Sequence, residues 1–543
     1  MQLAWNPGFG DGGWNTEGEG YTLVRTASLL QAALAYYNTT GRHVATNRSD
    51  SMFLPHYLYL TVLTEQSTDR GERVFHKPVT GVGLTFGQGH DDDERVDGGQ
   101  TCIAFPLVPA RYKPAVAWYW RKWATNSQGQ IDARKLGDAA FALVNYPNEM
   151  PAPDPTGSLP FVLADRQKGG YIFRKSWAGA DDVLALIYYK TRPPGGAWNC
   201  AEGGTFRIYG FGRHWAVKCA LGNPVITYPY PGKVEENAKD KGEDDPAKGY
   251  GNKSGEWRCE NVVWVDGTGP VGAAIGGYQS NASAHGGGGI VTWVDQGADF
   301  GSVSADMSSL YLRNKMIERG TRHGDIGVKN LFPQNTRDRL GYILRENVED
   351  LGIRATRSFA VDMSGKCGAP ALFVVVDRFT ESGEKHAKSW RMHLPEGRPK
   401  DAAAPDWFRP ENCWYHQDPS TIPPMGQWTG RASVVIDGNR FVVSQNGTEA
   451  RLCGVVVPSA GMKLYHEEKF ERLLNIDRKN FVGYSPIIRN AVTIEAESEF
   501  FVVMTLGKGE PPKVAIEGSG LGATVTIGQQ TVRFEGGKIV FGK

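Results

Sequence analysis

Apolar positions recur at helical spacing over residues 21–37, where Leu23, Ala27, Leu30, Ala33, Leu34 and Tyr37 fall three or four apart before Thr39-Thr40-Gly41. That spacing predicts one amphipathic helix ending at the glycine. A second helix is predicted from Asp50 to Thr64, with Phe53, Tyr57, Leu60 and Leu63 along one side and Pro55 admissible in the first turn. Shorter helical patterns cover Lys113–Trp123 and Leu136–Val144. A Gly/Asp-rich loop, Phe86–Glu94, precedes them, and a Pro-rich stretch, Pro147–Pro160, reads as a linker.

Beyond that linker the period drops to two. Short β-branched or aromatic runs at 171–175, 183–189, 205–209, 214–218, 262–265, 289–294 and 372–376 are bounded by Gly, Pro, Asp or Asn and predict antiparallel strands. The charged stretch Val234–Lys253 has little to bury and reads as a surface excursion. After a Pro/Trp-rich crossing from about Asp401, a second strand series follows at 432–436, 441–444, 492–495, 500–506, 523–527 and 532–534. Helices first and strands afterwards predict an α+β chain. The expected division is a helical domain over 1–150, a central β-sandwich over 151–400 and a C-terminal β domain over 401–543. No fixed-period repeat is present, which disfavours a propeller or solenoid.

Composition narrows the function. A length of 543 suits two or three domains, and the 60 Lys+Arg against 59 Asp+Glu argue against a surface built as a nucleic-acid footprint. No run of 18 apolar residues occurs, so neither a membrane-spanning helix nor a membrane partner is expected. The first 20 residues lack a basic segment followed by an apolar one, so no signal peptide is expected in this chain. The 68 glycines are well above a typical ~7% and suit a protein of many turns. The 15 Trp, 21 Tyr and 23 Phe also suit clefts that stack sugars. Seven widely spaced cysteines without a CxxC signal neither a disulfide framework nor a zinc ribbon. Asp91–Glu94 lacks the alternating oxygen ligands of a calcium loop and reads as a solvated acidic turn. Gly286–Gly289 precedes a strand and reads as a flexible turn rather than a phosphate cradle.

The segment Gly12-Gly-Trp14-Asn-Thr-Glu17-Gly-Glu-Gly-Tyr21 sets a Trp, two carboxylates and a Tyr around glycines at a helix entrance. Spacing alone fits a capped helix start with acidic first-turn residues and a core tyrosine. It equally places a phenol at a cleft mouth, where a neighbouring cation makes the phenolate accessible and the hydroxyl can protonate a leaving oxygen.

Together with four later segments, this loop resembles the heparinase II/III-like polysaccharide lyases and their alginate lyase and dermatan epimerase relatives. Those segments are Phe173-Arg174-Lys175-Ser176-Trp177, the run from Glu202 through Phe206 and Tyr209 to Trp215, Val303–Tyr311, and Ala371–Arg378 followed by Lys388–His393. The resemblance implies an α/α-toroid, here only partial, packed on a large antiparallel β-sandwich with an acidic polysaccharide in the cleft between them. It implies cleavage beside a uronic acid by β-elimination, and a secreted or periplasmic setting. Carried over by position, Tyr21 is the acid/base group; the family's Asn-His pair has no counterpart here, and His56, on the next helix, or His90, in the acidic loop, is a local substitute. Trp14, Glu17, Arg174, Trp198 and Glu202 would shape the sugar site, with Arg174 or Lys175, by strand alternation, pairing with the substrate carboxylate or sulfate.

Two departures from the family pattern stand out. Its His-x-His-x-Asp motif aligns with Trp198, Asn199, Cys200, Ala201 and Glu202, so both histidines are replaced. No cofactor is required by the remaining residues. A structural metal, zinc or calcium, is admissible, zinc through Cys200 as a thiolate with Cys219 or Cys259, although scattered cysteines more commonly serve as small buried hydrophobes. The chain also starts only a few residues before Trp14, so the helical domain is expected to be incomplete: the chain is a fragment, another polypeptide completes the domain, or the reduced form has a different role, with a homo-oligomer also admissible. Two alternatives stay open: a catalytically silent glycan-binding protein of the same fold, and a glycoside hydrolase using Glu17 and Glu202 as paired carboxylates.

Overall fold

The computed structural model describes residues 10–14, 19–44, 55–60, 63–67, 73–78, 105–124, 144–145, 149–177, 179, 181–191, 203–217, 260–266, 289–314, 348–350, 352–380, 386–395, 398–399, 428–429, 432–445, 447–477 and 481–542. These are mostly β-sheet with few helices.

A five-stranded antiparallel sheet organises the first half. Its strands, Val162–Asp165, Gly170–Arg174, Val183–Tyr188, Thr205–Gly210 and Arg213–Ala216, lie side by side in chain order. Successive side chains point to opposite faces. Tyr171, Phe173, Ala185, Ile187, Phe206 and Ile208 enter the main core on one side. Ile172, Leu184, Leu186, Tyr188 and Tyr209 enter a second core on the other, together with Trp14, Leu58, Tyr59, Leu60 and the aromatic face of the helix Lys113–Ala124. Burial on both faces explains why Val183–Tyr188 is apolar throughout instead of alternating.

Opposite the main core lies an eight-stranded antiparallel sheet, in the order 432–437, 440–445, 450–456, 499–508, 371–380, 354–362, 300–306, 290–296. Its inward residues include Phe359, Val361, Phe373, Val375, Phe500 and Val502. A four-stranded sheet of 463–477, 481–496, 388–393 and 263–265 contributes Val263, Trp390, Met392, Val492 and Ile494 to the same core. It continues the five-stranded layer, since the Val217 amide donates to the His393 carbonyl at 3.0 Å where the two meet. The outer face of the eight-stranded sheet, with Leu372, Val374, Val376, Phe501 and Val503, is covered by a C-terminal four-stranded meander through Val525, Ile527, Val532 and Ile539. Helices, a composite sheet, the large sheet and the meander therefore stack as layers.

The two sheets of the main core are pinned by buried charge. Arg357 grips Asp377 through two nitrogens at 2.7 and 2.9 Å, and its third nitrogen donates to the carbonyls of Gly204 and Asn261, each at 2.6 Å. Burial pushes the Asp377 carboxyl up while the guanidinium pulls it down, and full hydrogen bonding keeps such a pair from being a liability.

The large sheet pairs 371–380 directly with 499–508, and 499–508 with 450–456, so strands from both sides of position 400 share one sheet. Within it, 354–362 sits centrally although its first half reads as polar. The helix expected over 50–64 is described as Pro55–Leu60, and Leu63–Ser67 instead pairs with Arg73–Pro78 as a hairpin. Among the described residues three α-helices occur, Glu19–Thr40, Pro55–Leu60 and Lys113–Ala124, and these do not make a toroid. Of the helix expected at 136–144 only Val144 is among the described residues, and the loops 86–94 and 234–253 lie outside them.

Candidate functional site at the helical face of the five-stranded sheet

Two clamps hold the helical layer on the five-stranded sheet. The first is Asp165, at the end of the edge strand. Its Oδ2 accepts the Gly12 and Trp14 amides at 3.0 and 2.9 Å, and its Oδ1 accepts the Lys168 amide at 2.9 Å. The loop lies so close that a Cβ on Gly10 would meet Asp165 Oδ1 at 1.9 Å, which excludes any other residue there without a shift. Trp14 is 2% exposed, stacks on Tyr188 with ring centroids 5.2 Å apart, and covers Gly170, where a Cβ would meet its ring at 2.5 Å. Burial, reinforced by a hydrogen bond and charge repulsion from Asp11, pushes the Asp165 carboxyl up to about 7. The amide bonds oppose that rise.

The second clamp is Arg174. It is 1% exposed, pairs with Asp182 at 2.9 Å, donates to the Tyr59 carbonyl at 2.9 Å and to the Ser176 carbonyl at 2.8 Å, and lies over the Trp177 ring. Trp177 Nε1 adds a bond to the Leu58 carbonyl at 2.9 Å. Carbonyls at the end of a short helix lack intrahelical partners, so a guanidinium and an indole here satisfy groups that would otherwise be buried unpaired. Burial lowers the Arg174 pKa and raises that of Asp182, and their attraction opposes both shifts. The Tyr59 phenol donates to the Pro160 carbonyl at 2.6 Å, and burial raises its pKa.

The sequence-predicted residues separate accordingly. Trp14 and Arg174 do lie on the helical face, but as buried packing and clamping groups. Arg174 or Lys175 was expected to pair with a substrate carboxylate, whereas the Arg174 guanidinium is engaged by Asp182 and main-chain carbonyls. Tyr21 is on the helix Glu19–Thr40 and His56 on the helix Pro55–Leu60, placed by their backbones. Glu17, Trp198, Cys200 and Glu202 lie outside the described residues, as do Cys219 and Cys259. The loop that follows Glu202 is nevertheless fixed at Gly204, whose amide donates to the Tyr188 carbonyl at 2.7 Å and whose carbonyl is held by Arg357. Among the described residues no three His, Cys, Asp or Glu side chains converge on a metal position.

One pair on this face was not singled out from the sequence. Tyr209 and His214 flank the turn between the last two strands of the sheet, with ring centroids 5.1 Å apart at 73°. The Tyr209 hydroxyl and His214 Nδ1 are buried without a hydrogen-bond partner. Burial, with Arg213 adding to it, lowers His214 to about 4, so the imidazole is neutral at physiological pH. The tight Tyr-Gly-Phe-Gly-Arg-His turn was the available signal, because it returns the strand and brings its flanks face to face.

No family model matches the chain, and no curated protein matches it. Among solved structures it is similar to a heparinase III, at 12% identity and a TM-score of 0.47, covering 98% of this chain and 61% of that one. It is also similar to a heparan sulfate lyase from Pedobacter heparinus, at 11% identity and a TM-score of 0.45, covering 100% of this chain and 60% of that one. A third is a chondroitin AC lyase from Streptomyces coelicolor, at 8% identity and a TM-score of 0.43, covering 94% of this chain and 57% of that one. The chain spans about three fifths of the length of these structures.

Proposed function

We propose that the protein is a polysaccharide lyase that cleaves a uronic-acid-containing chain by β-elimination where its helical layer meets the five-stranded sheet. One observation carries the reading: Asp165 holds the loop 10–14, which precedes the helix bearing Tyr21, and Arg174 holds the helix bearing His56, both on the same face of one sheet. Chain reach bounds the consequence. Five residue steps from Trp14 to Glu19 and a further half turn of helix keep Tyr21 within ~20 Å of the Asp165 anchor. His56 is two residues, or ~3 Å of helix rise, from the clamped Leu58.

In this mechanism Tyr21 removes the C5 proton of the uronate while the C4–O4 bond breaks. The electron pair of the C5–H bond becomes the C4=C5 double bond, and the departing O4 takes a proton from Tyr21 or His56. Negative charge developing on the uronate carboxylate needs a preorganised cation or donor. With Arg174 engaged by Asp182, another cation has to supply it. That same engagement favours a second reading, a protein that holds an acidic glycan without turnover. A panel of acidic polysaccharides, monitored for ultraviolet absorbance of unsaturated uronate ends, separates the two: absorbance supports the lyase, and binding without it supports the silent reading.

A further inference from the structure

Across the main core from the helical layer, the outer face of the eight-stranded sheet carries a pocket of about 200 Å³ whose described lining includes the side chains of Asp306, Ser308, Arg354, Thr356, Arg378 and Thr380. Strand register builds it. Asp306 is opposite Thr356, Thr356 opposite Arg378, and Arg354 opposite Thr380, so polar residues of three adjacent strands form two neighbouring rows. Their neighbours Ala305 and Ala355 point the other way, into the main core. The pocket begins where the C-terminal meander stops covering the sheet: Val376 is buried beneath it, and Arg378, two residues on and on the same face, is exposed.

Its walls are preset. Asp306 Oδ1 accepts the Ser308 amide at 2.8 Å and the Ser308 hydroxyl at 2.5 Å, and Ser308 Oγ in turn accepts the Ala355 amide at 3.0 Å. Among the described residues one lining carboxylate is thus hydrogen-bonded within the wall, against the guanidiniums of Arg378 and of Arg354, whose Nη1 also donates to the Ile353 carbonyl at 3.0 Å. Arginine forks match the planar geometry of a carboxylate and the oxygens of a sulfate ester, and threonine hydroxyls pair with ring hydroxyls. Among the described residues no aromatic side chain lines the pocket, and the lining they form recognises by charge and hydrogen bonds.

We infer that this pocket binds the anionic group of one acidic sugar unit, a carboxylate or a sulfate ester, through Arg354 and Arg378. The choice of a saccharide rests on the proposed acidic-polysaccharide substrate, while the anion preference follows from the lining itself. Such a site would hold the same polymer at a distance from the helical face.

The test is calorimetric titration of the full chain with glucuronate, glucose 6-sulfate, glucose and inorganic sulfate. These ligands contain no bond that a lyase cleaves, so the outcome is independent of catalysis. Binding of either acidic sugar at least about tenfold tighter than glucose, lost by at least about tenfold in the double variant Arg354→Gln, Arg378→Gln with unchanged melting temperature, supports the site. Which acidic sugar binds assigns the anion. Equal binding of glucose, unchanged binding by the double variant, or inorganic sulfate binding as tightly as the acidic sugars would overturn it.

Discussion

Arg174 Nη1 donates to the main-chain oxygen of Tyr59 at 2.9 Å, while Nη2 of the same guanidinium holds Asp182 at 2.9 Å. A single buried cation therefore joins the end of the helix carrying His56 to the sheet beneath it. Replacing Arg174 by Met leaves Asp182 as an uncompensated buried carboxylate and strips a partner from the Tyr59 carbonyl. Removing one partner of a buried pair costs about 3–5 kcal/mol. Denaturant unfolding should show a loss of that order, and the double variant Arg174→Met, Asp182→Leu should recover part of it. A loss below about 1 kcal/mol in the single variant would show that the clamp is not structural.

Asp165 predicts an unusual pH dependence. Its carboxyl is raised from 3.8 to about 7 in the folded protein, chiefly by burial and then by Asp11. Between those values the folded state holds a proton that the unfolded state has released, so this group's stabilising contribution is complete at low pH and is lost as pH rises toward about 7. The slope is at most about 1.4 kcal/mol per pH unit. Asp165→Asn keeps an acceptor for the Gly12 and Trp14 amides and removes the titration. The stability difference, variant minus wild type, should grow between pH 4 and 7 and level off above. A pH-independent difference would contradict the assignment.

Tyr209 provides a test that separates packing from function. Its hydroxyl is buried without a partner, so Tyr209→Phe should leave stability unchanged or raise it by up to about 1 kcal/mol. Loss of turnover or glycan binding in that stable variant would place Tyr209 among the functional groups. His214, lowered to about 4, should show no imidazole titration by nuclear magnetic resonance between pH 5 and 8.

The legible parts of this fold are those with a local signature. Gly170–Arg174 and Thr205–Gly210 stand within a residue or two of their period-two runs because turn residues bound them. The strand Arg354–Asp362 escaped notice because its first residues, Arg-Ala-Thr-Arg, face the outer pocket and the Arg357–Asp377 pair, and polar positions at a sheet's rim break the apolar pattern. Leu63–Ser67 fits the end of a helical period as well as a strand, and only its pairing with Arg73–Pro78 decides. At the candidate site, alternation leaves open which of Arg174 and Lys175 faces the helical layer, and the commitment of Arg174 to Asp182 depends on a chain reversal eight residues long that no periodicity encodes. Asp165 gave no signal, since what makes it an anchor is a glycine loop more than 150 residues away in sequence.

The central claim is β-elimination at the helical face with Tyr21 as its acid/base group. Its most direct test is the initial rate of ultraviolet absorbance from unsaturated uronate ends, measured for wild type and Tyr21→Phe on whichever acidic polysaccharide responds. Loss of one general acid/base group costs typically ~10²–10⁴-fold, so the account predicts absorbance with wild type and a fall of at least about a hundredfold in the variant. Full activity in Tyr21→Phe, or new reducing ends without absorbance in the wild type, would contradict it.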